Sequence, residues 1–254
     1  MKHRYFLELN FKGTNYHGWQ FQPNALTVQE IIDQALTTIL KNNISTTGAG
    51  RTDSGVHARC FTAHFDSEQN VIAVAEKEKI LKSLNAILPY DIAITDIYEV
   101  IPAAHARFSA VKRTYEYTII SAKDPFAADL AWYLTCELDI RQMNRAAEVL
   151  SDYNDFTSFS KLHTDSKTNL CKIYEASWKA DKSSLIFRIT ADRFLRNMVR
   201  AIVGTMILVG KGVINIQDFA EIIENHDRNA AGASAPAKGL VLVNIEYPVN
   251  IKLT

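Results

Sequence analysis

The 254 residues carry 28 basic and 28 acidic side chains and are 47% hydrophobic, which is the balance of a folded globular protein with room for one large domain or two of ordinary size. A formal net charge of zero argues against a polycation that coats nucleic acid, so an RNA-binding surface would have to come from local clustering. The longest apolar run, around Met206 and Val209, is broken by Gly204, Gly210 and Lys211, and no apolar signal region precedes the first strand pattern, so a cytoplasmic protein with no membrane span is expected. Cys60, Cys136 and Cys171 are far apart in apolar surroundings, which predicts reduced, buried thiols and neither a disulfide nor a zinc site.

In chain order, residues 5–11 alternate as a strand, and 13–23 form a loop rich in aromatics and amides that includes Tyr16, Trp19 and Gln22. Thr27-Val28-Gln29-Glu30 has capping-box spacing and opens a helix with Ile31, Ile32, Ala35, Leu36, Ile39 and Leu40 on its apolar face. Two strands, 44–49 and 60–65, flank a loop that holds Gly50 and Gly55; a helix over 75–88 is stopped by Pro89, and a strand over 92–98 follows. Strand, helix, strand, strand, helix, strand is the ferredoxin-like order. The second half repeats it more loosely: a strand over 112–120, a helix over 139–150, a hairpin of 170–179 and 185–191 about Asp181-Lys182-Ser183, helices over 194–209 and 216–224, and a strand over 240–247. The expected fold is therefore α+β, with two ferredoxin-like, RRM-like lobes at 1–104 and 105–254. Their antiparallel sheets are expected to join side by side, with an active-site cleft between the lobes.

Three stretches could carry chemistry. In Gly48-Ala49-Gly50-Arg51-Thr52-Asp53-Ser54-Gly55-Val56-His57, a carboxylate stands two residues after an arginine at the tip of a strand-loop-strand unit, where function tends to be placed. A plain hairpin turn, with Asp53 bonding its own backbone, is the bland alternative. Arg193, Arg196 and Arg200 are spaced i, i+3, i+7 on the helix expected over 194–209, opposite Leu195, Val199, Ile202 and Met206, and Asp192 is the only acid between Arg188 and Lys211. Such a ridge is either a solvated face or a site for a phosphate or carboxylate. His105, Arg107, Phe108, Lys112, Arg113, Tyr115 and Tyr117 interleave basic groups with aromatics, which suits unstacked bases and phosphates but also suits a charged edge strand.

The string Gly50-Arg51-Thr52-Asp53-Ser54-Gly55-Val56-His57 resembles the signature of the TruA family of tRNA pseudouridine synthases, Gly-Arg-Thr-Asp-x-Gly-Val-His. Phe194-Leu195-Arg196-Asn197-Met198-Val199-Arg200 is similar to that family's Phe-Leu-x-x-Met-Val-Arg, and Ala235-Pro236-Ala237-Lys238-Gly239-Leu240-Val241-Leu242 to its Ala-Pro-Ala-x-Gly-Leu-x-Leu. Gly18-Trp19-Gln20-Phe21-Gln22 resembles the family's Gly-Trp-Gln-x-Gln loop and reads either as an RNA contact or as an aromatic lid on the core, and Phe156 to His163 resembles a family segment that touches tRNA beside the cleft. The match runs from Gly13 to Leu242; one departure is Arg59-Cys60, where the family often has a Gly-Gln pair.

The resemblance implies that Asp53 is the catalytic carboxylate, and that Arg51 fills the space left by an extruded uridine. It implies that Tyr115 stacks on the uracil, that Arg200 reaches Asp53 and keeps it ionised, and that Leu242 helps wall the pocket. His105, Arg107, Phe108, Lys161 and His163 become substrate contacts. The implied reaction is isomerisation of uridine to pseudouridine in tRNA, in the family at positions 38, 39 and 40 of the anticodon arm, with tRNA as partner, a homodimer as the working form, and no cofactor. The residues themselves leave two other readings: a non-catalytic binder built from two RRM-like lobes, and an aspartate-dependent N-glycosidase that would release free uracil.

Overall fold

The structure is a computed structural model that describes residues 3–68, 76–161, 168–181 and 183–253. Along the chain run β1 (His3–Phe11), α1 (Val28–Leu40), β2 (Thr47–Gly48), β3 (His57–Ser67), α2 (Lys77–Ile87), β4 (Ile92–Val100), β5 (Lys112–Ile120), β6 (Trp132–Tyr133), α3 (Ile140–Val149), β7 (Ile173–Asp181), β8 (Ser184–Ala191), α4 (Met198–Gly210), α5 (Ile216–Glu224) and β9 (Leu240–Glu246). This is the mixed α and β content that the hydrophobic periodicities predict. None of these helices is long and apolar enough to cross a membrane. Among the described residues the cysteines are unbridged, with Cys171 buried and Cys60 half-buried; Cys136 is exposed, contrary to the expectation that all three are buried.

The chain forms two compact units, one of Met1–Val111 with Leu242–Thr254 and one of Lys112–Val241. The sequence reading puts a division at 104/105, so His105, Arg107 and Phe108 fall in the first unit and not in the second. The cause is local: the Ala106 amide donates to His64 in β3, the Tyr247 hydroxyl donates to the Ala106 carbonyl, and the Val111 amide donates to the Glu246 carbonyl.

In the first unit β1 is central, with β4 antiparallel on one side and β3 antiparallel on the other; β2 and β9 share the far edge of β3. Alternation along β1 buries Tyr5, Leu7, Leu9 and Phe11 on one face, and α1 sets Val28, Ile32, Ala35 and Leu36 inward. Thr27 caps α1 by accepting from the Glu30 amide, as the spacing predicts. The strand expected over 44–49 shrinks to Thr47–Gly48 because α1 supplies its partners. The Ile44 amide donates to Thr37, the Thr46 amide and hydroxyl both donate to Asp33 Oδ1, and Gln29 donates to the Thr46 carbonyl. Backbone satisfied by helix side chains has no need of a ladder.

In the second unit β8 lies between β5 and β7, antiparallel to both, and the two-residue β6 adds parallel to β5. The turn residue Lys182 lies outside the described residues. α4 is buried along nearly its whole length and packs against α3 and α5. It starts at Met198, four residues later than the pattern suggests, because Asn197 takes a left-handed φ of 67° and interrupts the helical path. The arginine ridge is thereby corrected: only Arg200 is helical, and Arg193 and Arg196 belong to the approach segment.

Both units treat an edge strand in the same way. Asn85 on α2 donates to the Ile94 carbonyl and accepts from the Ile94 amide, both at 2.8 Å, and Asn144 on α3 does the same to Trp178 of β7, at 3.0 and 2.8 Å. The amide side chain thus stands in for a missing neighbouring strand.

Candidate functional site

Asp53 lies half-buried on the loop between β2 and β3, with Arg51 exposed beside it. The loop is pinned from several directions. The Ala49 amide donates to Thr62 at 2.8 Å, the Val56 amide to the Asp53 carbonyl at 3.1 Å, and the Gly55 amide to the Tyr16 carbonyl at 3.2 Å. Ser54 adds a hydroxyl bond to that same Tyr16 carbonyl. Tyr16 is held in turn through its hydroxyl, which donates to Asp91 at 2.6 Å, and burial followed by the Asp91 bond pushes its pKa well above the ordinary phenol value. The Gly13 amide donates to His57 Nδ1 at 2.9 Å, fixing the far side of the loop.

Backbone meets backbone at Gly18, where φ is +85° and a Cβ would stand 2.2 Å from the Thr52 carbonyl oxygen. Trp19 stacks on Phe61 at 4.3 Å and is 2% exposed, and Tyr16 is 4% exposed. Of the 16–22 loop read as an RNA contact or a lid on the core, these two aromatics are lid. They carry the loop on which Asp53 stands. Thr52 contributes a buried hydroxyl without a hydrogen-bond partner. The result is a carboxylate on backbone held at both ends, which is the preorganisation a reacting group requires.

The remaining first-unit candidates lie on the segment after β4 and on β9. His105 is half-buried, Arg107 is exposed, and Phe108 is 75% exposed with the Arg107 guanidinium 5.4 Å from its ring centroid. Leu242 is 3% exposed within β9. Asp53 and Arg51 thus share one loop, and His105, Arg107 and Phe108 share another.

In the second unit Arg200 stands in the first turn of α4. Its Nε donates to the Ala235 carbonyl at 2.8 Å, and the Ala235 amide donates back to the Arg200 carbonyl at 2.9 Å, so the stretch resembling Ala-Pro-Ala is laced to the arginine. Asn197 donates to Ser234 at 2.6 Å, and at Gly204 a Cβ would stand 1.8 Å from the Ala233 carbonyl oxygen, so segment 233–235 lies directly on the helix. Tyr117 donates to Pro236 at 2.8 Å, and burial raises its pKa while Arg200 opposes that rise.

Tyr115, on β5, is half-buried with its ring edge-to-face against Phe194 at 5.2 Å. Lys161 is exposed, and its amide donates to the Arg196 carbonyl at 3.0 Å. His163 lies outside the described residues. Sequence reasoning missed Tyr16, Asn197 and Ala235 as fixing groups; the one signal for them was their closeness to the motif residues.

A sequence model of the tRNA pseudouridine synthase family matches residues 9–109 and 146–248, well over half the chain. The chain belongs to the tRNA pseudouridine synthase family. The matched ranges of that family take in the Asp53 loop, the His105 to Phe108 segment, Lys161, Arg200 and Leu242, and Tyr115 lies between them. Proteins named tRNA pseudouridine synthase A are similar over nearly the full length. That of Bacteroides fragilis is 51% identical over 249 residues, covering 98% of both chains, and that of Clostridium acetobutylicum is 39% identical over 247 residues, covering 95% of this chain and 98% of its own.

Proposed function

We propose that Asp53 is the carboxylate with which this member of the tRNA pseudouridine synthase family converts uridine in tRNA to pseudouridine. The observation that supports it is the loop: the bonds described above that fix residues 49–57 end on backbone, on Ser54 or on His57, and the carboxylate stands on the stretch they hold. In the reaction the N1–C1′ bond of the nucleoside breaks, the uracil turns, C5 bonds to C1′, the C5 proton leaves and N1 gains one. Atoms and electrons balance within the nucleoside, and no redox partner enters.

Asp53 serves as nucleophile toward C1′ or the base, or as the base that removes a ribose proton. Extruding the uridine costs a few kcal/mol of stacking. Arg51 is assigned to occupy the vacated place, and Tyr115 to stack on the uracil. Leu242 is assigned to the pocket wall, with His105, Arg107, Phe108, Lys161 and His163 as contacts to the RNA. We assign Arg200 as the cation that keeps the Asp53 carboxylate ionised, since an opposite charge beside a carboxylate favours its charged form.

The strand order β4-β1-β3-β2 in the first unit and β5-β8-β7 in the second favours a ferredoxin-like plan for each. The family's anticodon-arm positions, a homodimer and a cytoplasmic location complete the reading; sedimentation of the protein with and without tRNA tests the dimer.

Release of tritium from tRNA carrying [5-³H]uridine is the direct assay. Wild type should release label without free uracil, and Asp53→Asn should lose at least about 10³-fold in rate while still binding tRNA. Free uracil would instead mark an N-glycosidase, and no release a plain binder. In the same assay Arg200→Met should lower kcat far more than tRNA affinity and move the acidic limb of the pH profile upward; equal losses in both would make Arg200 a phosphate contact.

A further inference from the structure

The segment that carries His105, Arg107 and Phe108 is tied down by groups outside the site just described. Arg4 of β1, which also forms a two-pronged pair with Asp66 at 2.7 and 2.8 Å, donates to the Ala104 carbonyl at 2.8 Å. His64 of β3, directly opposite Phe6 in the ladder, accepts the Ala106 amide on Nδ1 at 3.2 Å. Tyr247, just past β9, donates its hydroxyl to the Ala106 carbonyl at 2.6 Å. Each of three neighbouring chain segments therefore gives one bond to the backbone of 104–106, and Ala104 and Ala106 are 1% and 0% exposed.

Beyond that anchor the turn wraps an imidazole. His105 Nδ1 accepts the amides of Arg107 and Phe108 at 3.1 and 3.3 Å, and Ser109 closes the loop by accepting the His105 amide and donating its own amide to the His105 carbonyl, both at 2.9 Å. The rings form a run, with His64 to His105 at 4.6 Å and His105 to Phe108 at 4.4 Å. Three consecutive amides, from residues 106 to 108, thus end on histidine Nδ1 atoms. An Nδ1 can accept only in the neutral imidazole with its proton on Nε2.

The surroundings keep it so. Burial lowers the pKa of both histidines. His105 and Arg4 lower that of His64 further against the pull of Asp66, to about 4, and Arg4 and Arg107 act the same way on His105.

A singly exposed phenylalanine ordinarily needs no explanation. This one is held at a fixed height by a bonded turn, backed by a ring and accompanied by a guanidinium, which is the form of a stacking platform beside a phosphate contact. We propose that His64, with Arg4 and Tyr247, is a positioning residue for substrate RNA: it registers the His105 to Ser109 turn so that Phe108 stacks on an unpaired base and Arg107 meets the adjoining phosphate. The proposal rests on the reading of tRNA as substrate and leaves the chemistry at Asp53 untouched.

The test is a set of variants measured by tRNA binding and by tritium release. His64→Phe keeps the ring and removes the acceptor; it should raise Kd and KM for tRNA about tenfold with kcat within about twofold. His64→Asn returns an oxygen near the place of Nδ1 and should restore affinity. In a Phe108→Ala background His64→Phe should add nothing further. A fall in kcat at unchanged KM, or full additivity with Phe108→Ala, overturns the proposal. Should His64→Phe fail to fold, Tyr247→Phe, which removes only the hydroxyl, must show a smaller rise in KM with the same loss of additivity. If wild type binds tRNA with this pattern yet releases no tritium, the catalytic reading falls and the positioning role stands. If Phe108→Ala releases tritium with a normal KM, the positioning role falls and the catalytic reading stands.

Discussion

The position of Asp53 depends on residues that have no side chain to offer. At Gly18 a methyl group would meet the Thr52 carbonyl oxygen at 2.2 Å in a left-handed backbone, so Gly18→Ala must displace the peptide that precedes Asp53. We expect a loss of about 1–3 kcal/mol in urea unfolding, together with a clear fall in kcat. Gly212→Ala is the control, since φ there is +68° but nothing lies within 4 Å; it should cost stability and spare kcat. If both variants lowered kcat alike, the loop would owe its geometry to something other than the Gly18 contact. The family was legible because eight consecutive residues, Gly50 to His57, formed one specific string. Tyr16 and Trp19 were not, because an aromatic in a loop reads equally as ligand contact or lid until burial is known. The row of arginines failed for a further reason: periodicity assumes an unbroken helix, and a single left-handed Asn197 voids it.

The elements were legible where end signals and period agreed. Thr27, read from its capping-box spacing, accepts the amide three residues on and α1 begins beside it; Asp139 and Asn215 cap α3 and α5 in the same way, although only the apolar period marked those helices in the sequence. β2 was overestimated because its apolar run is satisfied by α1, and the paired bonds of Asn85 and Asn144 left no trace in hydrophobicity because their role is to close a strand edge. The lacing of α1 to the lead-in of the Asp53 loop yields a pH prediction. Asp33 accepts both the amide and the hydroxyl of Thr46, yet burial outweighs those bonds and lifts its pKa from 3.8 to about 6. A folded-state pKa above the unfolded one means that the native chain holds the proton longer. The associated stability is complete below 3.8 and is lost as pH rises through about 6. Asp33→Asn keeps an acceptor for Thr46 without the charge. It should gain on the order of 1 kcal/mol at neutral pH, a figure already reduced for solvent screening. Its melting temperature should also lose the decline that wild type shows across that interval. An unchanged decline would place the titration elsewhere.

At the scale of the molecule, the repeated order of strands and helices was readable because it needs only existence and type, whereas the assignment of 105–111 and of β9 from Leu242 onward to the first unit was not, since both depend on pairing between residues far apart in sequence. Charge belongs to this scale as well. With 28 basic and 28 acidic groups the chain has no global field to hold RNA, so attraction must come from the few places where exposed cations stand together with aromatics. Each cation that displaces a counterion from a phosphate contributes roughly 0.7–0.9 to the slope of log affinity against log salt. A chain relying on Arg51, Arg107 and Lys161, all exposed, should show a slope of only about 2–3 in magnitude, far below that of a polycationic binder. Arg107→Ala and Lys161→Ala should each reduce that slope by close to one unit, and the two changes should add, because separate phosphates release separate ions. Titration of fluorescent tRNA between about 50 and 200 mM salt measures it. A steep slope indifferent to both substitutions would mean that the RNA is held by a different set of charges, and that the turn carrying Phe108 is not part of its path.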